Sequence, residues 1–185
     1  TIKEFNLGGG LPAPGSCPYP LARFAQSIGE VYLKQSRSRG FSPLLAFELG
    51  KSLVDSAGIL VGKVCVVRKD WVLVDFSRSD FGFSFPFRER KFFIANKMGW
   101  PRKKWFKVGS SNLEKFDVIK KRVILPHVSS GDIAVLTGVG AYSLPLSTQF
   151  TRPRSAVYLL TEDGKIVLIR PPESCEDVIL NQRWA

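Results

Sequence analysis

The spacing of apolar residues changes character near residue 58. Before that point, two short apolar runs flank one helix-like stretch. Ile2–Leu7 reads as a short strand and runs directly into Gly8-Gly9-Gly10. Three successive glycines free the backbone for dihedrals that other residues avoid, and their N–H groups can form a nest for an anion. Residues 11–20 carry four prolines and must be loop. From Leu21 to Gln35, the residues Leu21, Phe24, Ile28, Val31 and Tyr32 fall at helical spacing, and Arg37 to Gly40 gives a polar end and a glycine stop. Pro43–Phe47 is then a short buried strand that delivers Glu48. Strand, glycine turn, helix, strand is the rhythm of an α/β layer with parallel strands, and such layers place ligands at the strand ends.

After Lys51 the pattern is that of strands. Gly58–Val67 and Trp71–Phe76 read as a hairpin turning at Arg68-Lys69-Asp70. Phe81–Phe87 alternates aromatic and small residues, and residues 88–107 read as loop with short strands. Val118–Leu125, Ile133–Val139, Val157–Leu160 and Lys165–Arg170 are further strands, with Glu162-Asp163-Gly164 as the turn of the last pair. Glu173–Leu180 reads as a terminal helix. In Ile133–Thr137 both faces are apolar, as in a strand buried on both sides. Gly138 and Gly140 follow, which suggests a bulge or a close backbone approach, with Tyr142 just beyond. Residues 1–57 therefore belong to an α/β unit and residues 58–185 to an all-β domain.

Composition narrows the class. The hydrophobic share of 44% over 185 residues suits a globular chain with a core, and no apolar run reaches membrane-spanning length. The chain opens on Thr1 rather than Met and without a basic-then-apolar leader, which reads as a fragment, a processed chain or a partial record. Cys17, Cys65 and Cys175 have neither metal-type nor disulfide-type spacing, which fits a reducing cytoplasm. One histidine, His127, can build neither a His-based metal site nor a Ser/His/Asp triad. Of the +11 net charge, much lies between Arg88 and Lys107, interleaved with Phe92, Phe93, Trp100 and Trp105. That mixture can bind nucleic acid, but no RNP, zinc-finger or helix-turn-helix pattern accompanies it. Basic surface also serves anionic cofactors and acidic partners.

Four stations follow in order: Gly8-Gly9-Gly10, Glu48-Leu49-Gly50-Lys51, Leu113-Glu114-Lys115-Phe116-Asp117 and Gly140-Ala141-Tyr142. Their order and approximate spacing resemble the C-terminal half of the fold-type III pyridoxal-phosphate decarboxylases, which act on ornithine, arginine, diaminopimelate or carboxynorspermidine. The resemblance implies the last strands and helices of a (β/α)8 barrel of alanine-racemase type over residues 1–57. A β-sandwich or barrel-like domain would follow over residues 58–185. It also implies pyridoxal 5′-phosphate as cofactor and loss of the α-carboxylate from an amino acid. The partner would be a second copy in a homodimer, or a chain supplying the barrel's N-terminal half.

By the same resemblance, Gly8, Gly9 and Gly10 give amides to the cofactor phosphate, and Glu48 pairs with the pyridine nitrogen. Gly50 and Lys51 stand where the family has Gly-Arg; Lys51 keeps the charge without the fork of donors. Tyr142 also reaches the phosphate. Glu114 and Asp117 match the acids at the substrate's distal amino end. Leu113 occupies the place of the family's proton-donating cysteine, and a leucine cannot transfer a proton; no residue is assigned as catalytic. The family's Schiff-base lysine comes from the N-terminal half, and no lysine here matches its motif. Three readings stand: a decarboxylase portion, a non-catalytic relative that binds partners through the β domain, and a basic nucleic-acid-binding module.

Overall fold

The structure, a computed structural model, describes residues 2–16, 20–82, 90–110, 112, 117–180 and 182–183. The chain divides into two units: Thr1–Ile59 with Gly138–Ala141, and Leu60–Thr137 with Tyr142–Ala185. The division falls two residues beyond the expected 57/58 boundary. The return of Gly138–Ala141 to the first unit has no counterpart in the sequence expectation.

In the first unit, β1 (Glu4–Asn6) and β2 (Leu44–Ala46) pair in parallel, with Glu4 opposite Leu44 and Asn6 opposite Ala46. Between them runs α1 (Leu21–Arg39). Pro20 precedes its first turn, and Gly40 ends it at φ 67°, one turn later than the apolar spacing alone predicts. The extra turn, Ser36 to Arg39, holds no helix breaker, and Arg37 and Arg39 suit the negative end of the helix dipole. Tyr32 ties α1 to the start of β2, its hydroxyl bonding Ser42 Oγ at 3.0 Å and the Pro43 carbonyl. No residue of α1 is buried, and β1 is exposed throughout. A cavity of about 430 Å³ lies between them, lined by Phe5, Ile28, Val31, Tyr32, Phe41 and Leu45 among others. α2 (Lys51–Val54) follows Glu48-Leu49-Gly50.

The second unit is built on a six-stranded sheet. Its strands are β3 (Ile59–Arg68), β4 (Trp71–Val74), β5 (Phe92–Ile94), β6 (Lys104–Ser110), β7 (Val118–Leu125) and β8 (Ile133–Thr137), in the order β5-β8-β3-β4-β6-β7. The outermost strands β5 and β7 approach each other, so the sheet curls nearly closed. β3 and β4 form the expected hairpin, Arg68 opposite Trp71, with Lys69 at φ 52° in the turn. β4 and β6 run parallel; the other recorded pairs are antiparallel. Val72, Val74, Val108, Ala134 and Leu136 are fully buried inside, as β-branched and apolar residues on a pleated inner face should be. Phe81 departs from the strand-like alternation. It closes α3 (Arg78–Phe81), which Ser77 and Asp80 nucleate as a capping box. Local capping outweighs the alternation there, and residues 83–89 of the same stretch lie outside the described residues. β9 (Val157–Leu160) and β10 (Ile166–Arg170) form a separate hairpin, and α4 (Cys175–Ile179) follows.

Polar side chains pin this unit at three places. Asp132, 6% exposed, accepts from Lys97 Nζ at 2.7 Å, from Asn96 Nδ2 at 2.9 Å and from Ser129 N at 2.7 Å. Arg152 reaches the Asp75 carbonyl and the Asp80 carboxylate. Glu173 accepts from Arg154 N, Gln149 Nε2 and Arg154 Nη1, which together lower its carboxyl to about 2. For Asp132, burial alone would raise the pKa; the Lys97 ammonium, the Ser129 N–H and the Asn96 amide outweigh it and hold the carboxyl below its usual value. A depressed carboxyl stabilises the fold above its unfolded pKa, and that stability is lost as pH falls through the folded value. Asp132→Asn is therefore expected to cost about 1–3 kcal/mol at pH 7, because it leaves the partly buried Lys97 ammonium without its charged partner. Denaturant melts should also show the variant losing less stability than the parent as pH falls below about 4.

Candidate functional site

Parallel pairing continues past the ends of the two short strands. Leu7 N donates to the Ala46 carbonyl at 3.0 Å, and Glu48 N donates to the Gly8 carbonyl at 2.8 Å. Glu48 is thereby set beside the glycine turn across one strand pair. A Cβ on Gly9 would overlap the Glu48 carbonyl oxygen, so only glycine allows the two backbones this close. Gly8 and Gly10 have φ of 69° and 82°, and nothing stands within 4 Å of where a Cβ would be. The turn is open on that side.

Asn6 joins the turn to the acid. Its Oδ1 accepts from Gly8 N at 2.7 Å, and its Nδ2 donates to Glu48 Oε1 at 3.0 Å. Because Gly8 N–H can only donate and a carboxylate can only accept, these two partners fix which end of the amide points where. The sequence expectation overlooked Asn6. Its signal was an Asn two residues before a glycine, the spacing of an Asx turn. Gly8 is thus not a free amide: it shapes the turn and holds Asn6 and Glu48. Among the described residues, none accepts from the N–H of Gly9 or Gly10. Gly50 and Lys51 open α2, and Ser52 beside them is buried.

Gly138–Ala141 packs on the stretch after α2. Val139 N donates to Gly58 O at 3.1 Å, and Gly140 N donates to Asp55 O at 3.0 Å. A Cβ on Gly140 would overlap the Val54 carbonyl. At Gly140 the close approach is therefore between two backbone segments, and Gly138 has φ 71°. Tyr142, in the second unit, is 41% exposed and has φ 62°, a left-handed conformation that a tyrosine rarely adopts. Its carbonyl accepts from Leu146 N at 3.0 Å. Strain of this kind collects at functional sites.

Asp117 is buried, and both its oxygens have partners inside the β unit. Oδ1 accepts from Arg78 N at 3.0 Å, and Oδ2 accepts from the Ser110 hydroxyl. That geometry anchors the start of β7 to α3 and the end of β6. Leu113 and Glu114 lie outside the described residues.

Most described cations of the basic segment are engaged within the unit. Arg90 is buried, 4.9 Å over the Phe81 ring. Lys97 holds Asp132, Lys104 donates to the Lys69 carbonyl, and Lys107 pairs with Asp70 at 3.3 Å. Arg122 stacks 4.1 Å over Trp105, and Lys107 lies 5.4 Å over Trp71. Among the described residues, no cluster of His, Cys, Asp and Glu could hold a metal, and no helix is long and apolar enough to cross a membrane.

Known proteins supply the frame for these features. The chain is 32% identical over 148 residues to diaminopimelate decarboxylase of Archaeoglobus fulgidus, covering 76% of this chain and 35% of that protein. It is 26% identical over 189 residues to the enzyme of the same name from Methanothermobacter thermautotrophicus, covering 97% and 43%. The crystal structure of diaminopimelate decarboxylase from Methanocaldococcus jannaschii superposes with a TM-score of 0.84 at 27% identity, over 100% of this chain and 44% of that one. The chain corresponds to the C-terminal part of a fold-type III decarboxylase. It spans less than half the length of these relatives. No protein-family model matches it.

The relatives imply a phosphate-bearing pyridine cofactor, and the first unit carries groups that can be compared with it. The unit has an open glycine turn whose Gly9 and Gly10 N–H groups have no acceptor among the described residues, a carboxylate with one oxygen already steadied, and a lysine close in sequence. The residues fit that group. Gly9→Ala and Gly140→Ala should each cost about 1–3 kcal/mol, the range for forced overpacking. Gly99→Ala, where a Cβ meets nothing within 4 Å, should stay within about 0.5 kcal/mol. Thermal unfolding of the three variants checks this contrast.

Proposed function

We propose that this chain supplies the phosphate-binding and ring-nitrogen-binding parts of a pyridoxal 5′-phosphate site in a decarboxylase of diaminopimelate. The observation that carries the reading is the Gly8–Glu48 pairing, which sets an acceptor carboxylate beside an open glycine turn. Gly9 and Gly10 donate their N–H groups to the phosphate, and Gly8 sets the turn's shape. Lys51 and Gly50 follow in the second loop, where Lys51 contributes a point charge rather than a fork. The second oxygen of Glu48 accepts from the pyridine N–H and keeps that proton in place. Tyr142, held in its left-handed conformation, contributes its hydroxyl to the phosphate on the strength of its Gly-Ala-Tyr motif. When bound, the cofactor withdraws the electron pair left as the α-carboxylate departs as carbon dioxide.

Diaminopimelate is the substrate proposed because the relatives carry its name, and the Methanocaldococcus jannaschii enzyme has been crystallised with L-lysine, the amino acid that decarboxylation of diaminopimelate leaves. Glu114 keeps its proposed contact with the substrate's distal ammonium. Asp117 is proposed to brace the end of β6 and the start of β7 rather than to touch substrate. The remaining barrel strands and the Schiff-base lysine belong to a part of the relatives' length outside this chain, and the exposed faces of β1 and α1 suit such neighbours. A homodimer is the proposed assembly. Leu113 favours a second reading, a relative that binds partners without turnover.

With the full-length protein and pyridoxal 5′-phosphate, diaminopimelate should yield carbon dioxide and L-lysine. Glu48→Gln should lower kcat by about a hundredfold. Cofactor binding without carbon dioxide release from any diamino acid would transfer support to the partner-binding relative.

A further inference from the structure

The Asn6 side chain touches both halves of the proposed site, and nothing in the four motifs assigns it a part. Its amide oxygen takes the Gly8 N–H at 2.7 Å, while its amide nitrogen gives a hydrogen bond to Glu48 Oε1 at 3.0 Å. We propose that Asn6 is a positioning residue that couples the phosphate turn to the ring-nitrogen acid, setting Glu48 so that one carboxylate oxygen remains for the pyridine N–H. This inference rests on the cofactor reading above.

Chemistry selects asparagine for this place. Gly8 N–H needs an acceptor and Glu48 needs a donor, and a single amide supplies both from one planar group. An aspartate could still accept from Gly8, but it would set a second carboxylate against Glu48 with no donor between them. An alanine would leave both partners to water. Glu48 is solvent-exposed in this chain, so its side chain depends on such a local tie for a fixed rotamer. Backbone pairing alone does not supply it: Glu48 N binds Gly8 O, but that bond fixes the main chain and leaves the carboxylate free to rotate. Asn6 thus does for the side chain what the strand ladder does for the backbone.

The roles separate by substitution. The probes are pyridoxine 5′-phosphate, which carries the ring nitrogen and the phosphate but no reactive aldehyde, and inorganic phosphate, which carries the phosphate alone. Calorimetric titration of the chain gives an affinity for each. Asn6→Ala is expected to weaken both. Asn6→Asp is expected to restore phosphate affinity to within about threefold of the parent but to leave pyridoxine 5′-phosphate about tenfold weaker, the loss of one hydrogen bond to a charged group. Glu48→Gln should lower pyridoxine 5′-phosphate affinity in the parent and have little further effect in Asn6→Asp, because the two residues act as one unit. If Glu48→Gln matters in the parent while Asn6→Asp binds both probes as the parent does, the coupling is wrong and the cofactor reading stands. If the parent shows no preference for pyridoxine 5′-phosphate over phosphate and Glu48→Gln changes nothing, the cofactor reading fails and the inference falls with it. Circular dichroism of each variant excludes unfolding as the cause.

Discussion

Two parallel strands of three residues each set the geometry on which the rest of the candidate site depends. Three-residue strands bury almost nothing, so their register cannot come from a hydrophobic stripe. It comes from continuation of the ladder into the loops: Leu7 to Ala46, then Glu48 to Gly8. The continuation is possible because Gly9 has no side chain to strike the Glu48 carbonyl. One steric allowance thus fixes a register, and the register fixes which acid stands beside which turn. A slip of one residue would turn Glu48 to the other face of the strand pair.

In the β unit the order of dependence is reversed. There a curled sheet with a dry interior of valine, leucine and isoleucine comes first, and the buried charges are fitted to it. Asp132 sits just before β8 and ties it to the turn after β5 through Asn96 and Lys97. Asp117 ties the start of β7 to α3, and Asp80 caps α3 while receiving Arg152. Each acid closes a loop end that the sheet's own hydrogen bonds leave open. Asp132 and Asp117 each sit one residue before a strand, while Asp80 lies within α3. Lys97, Lys107, Arg152 and Arg154 each face an acid at short range, so the chain's net positive charge comes from its other basic residues.

Strands with β-branched runs and clear turn residues were legible in the sequence almost to the residue. Val118–Leu125 and Val157–Leu160 fall where the pattern puts them. The helix at residues 78–81 was not, because a capping box of four residues is too short to disturb an aromatic alternation that runs past it. The glycines at 138 and 140 announced a close approach, but not its target, since nothing in a linear pattern says that Val54 and Gly58 will lie opposite. Asp117 shows a related gap: its motif says nothing of its burial or of the two donors that bind its carboxylate. Motif spacing reports which residue types occur. It does not report which hydrogen bonds the fold has already claimed.

The same distinction bears on Lys51. A lysine in place of a forked arginine gives a site that cannot grip a phosphate through paired side-chain donors. Directional backbone donors then matter more: the N–H groups of Gly9 and Gly10, whose direction is set by the turn. Backbone donors are insensitive to substitution as long as the turn keeps its shape, and that shape is held by Gly8, Asn6 and Glu48 together. A site built this way can lose its arginine and still present the same array of dipoles. It cannot lose the asparagine–glutamate tie without loosening the carboxylate beside the glycine turn. On this argument the polar pair at residues 6 and 48, more than the basic residue at 51, carries the chemical identity of the site.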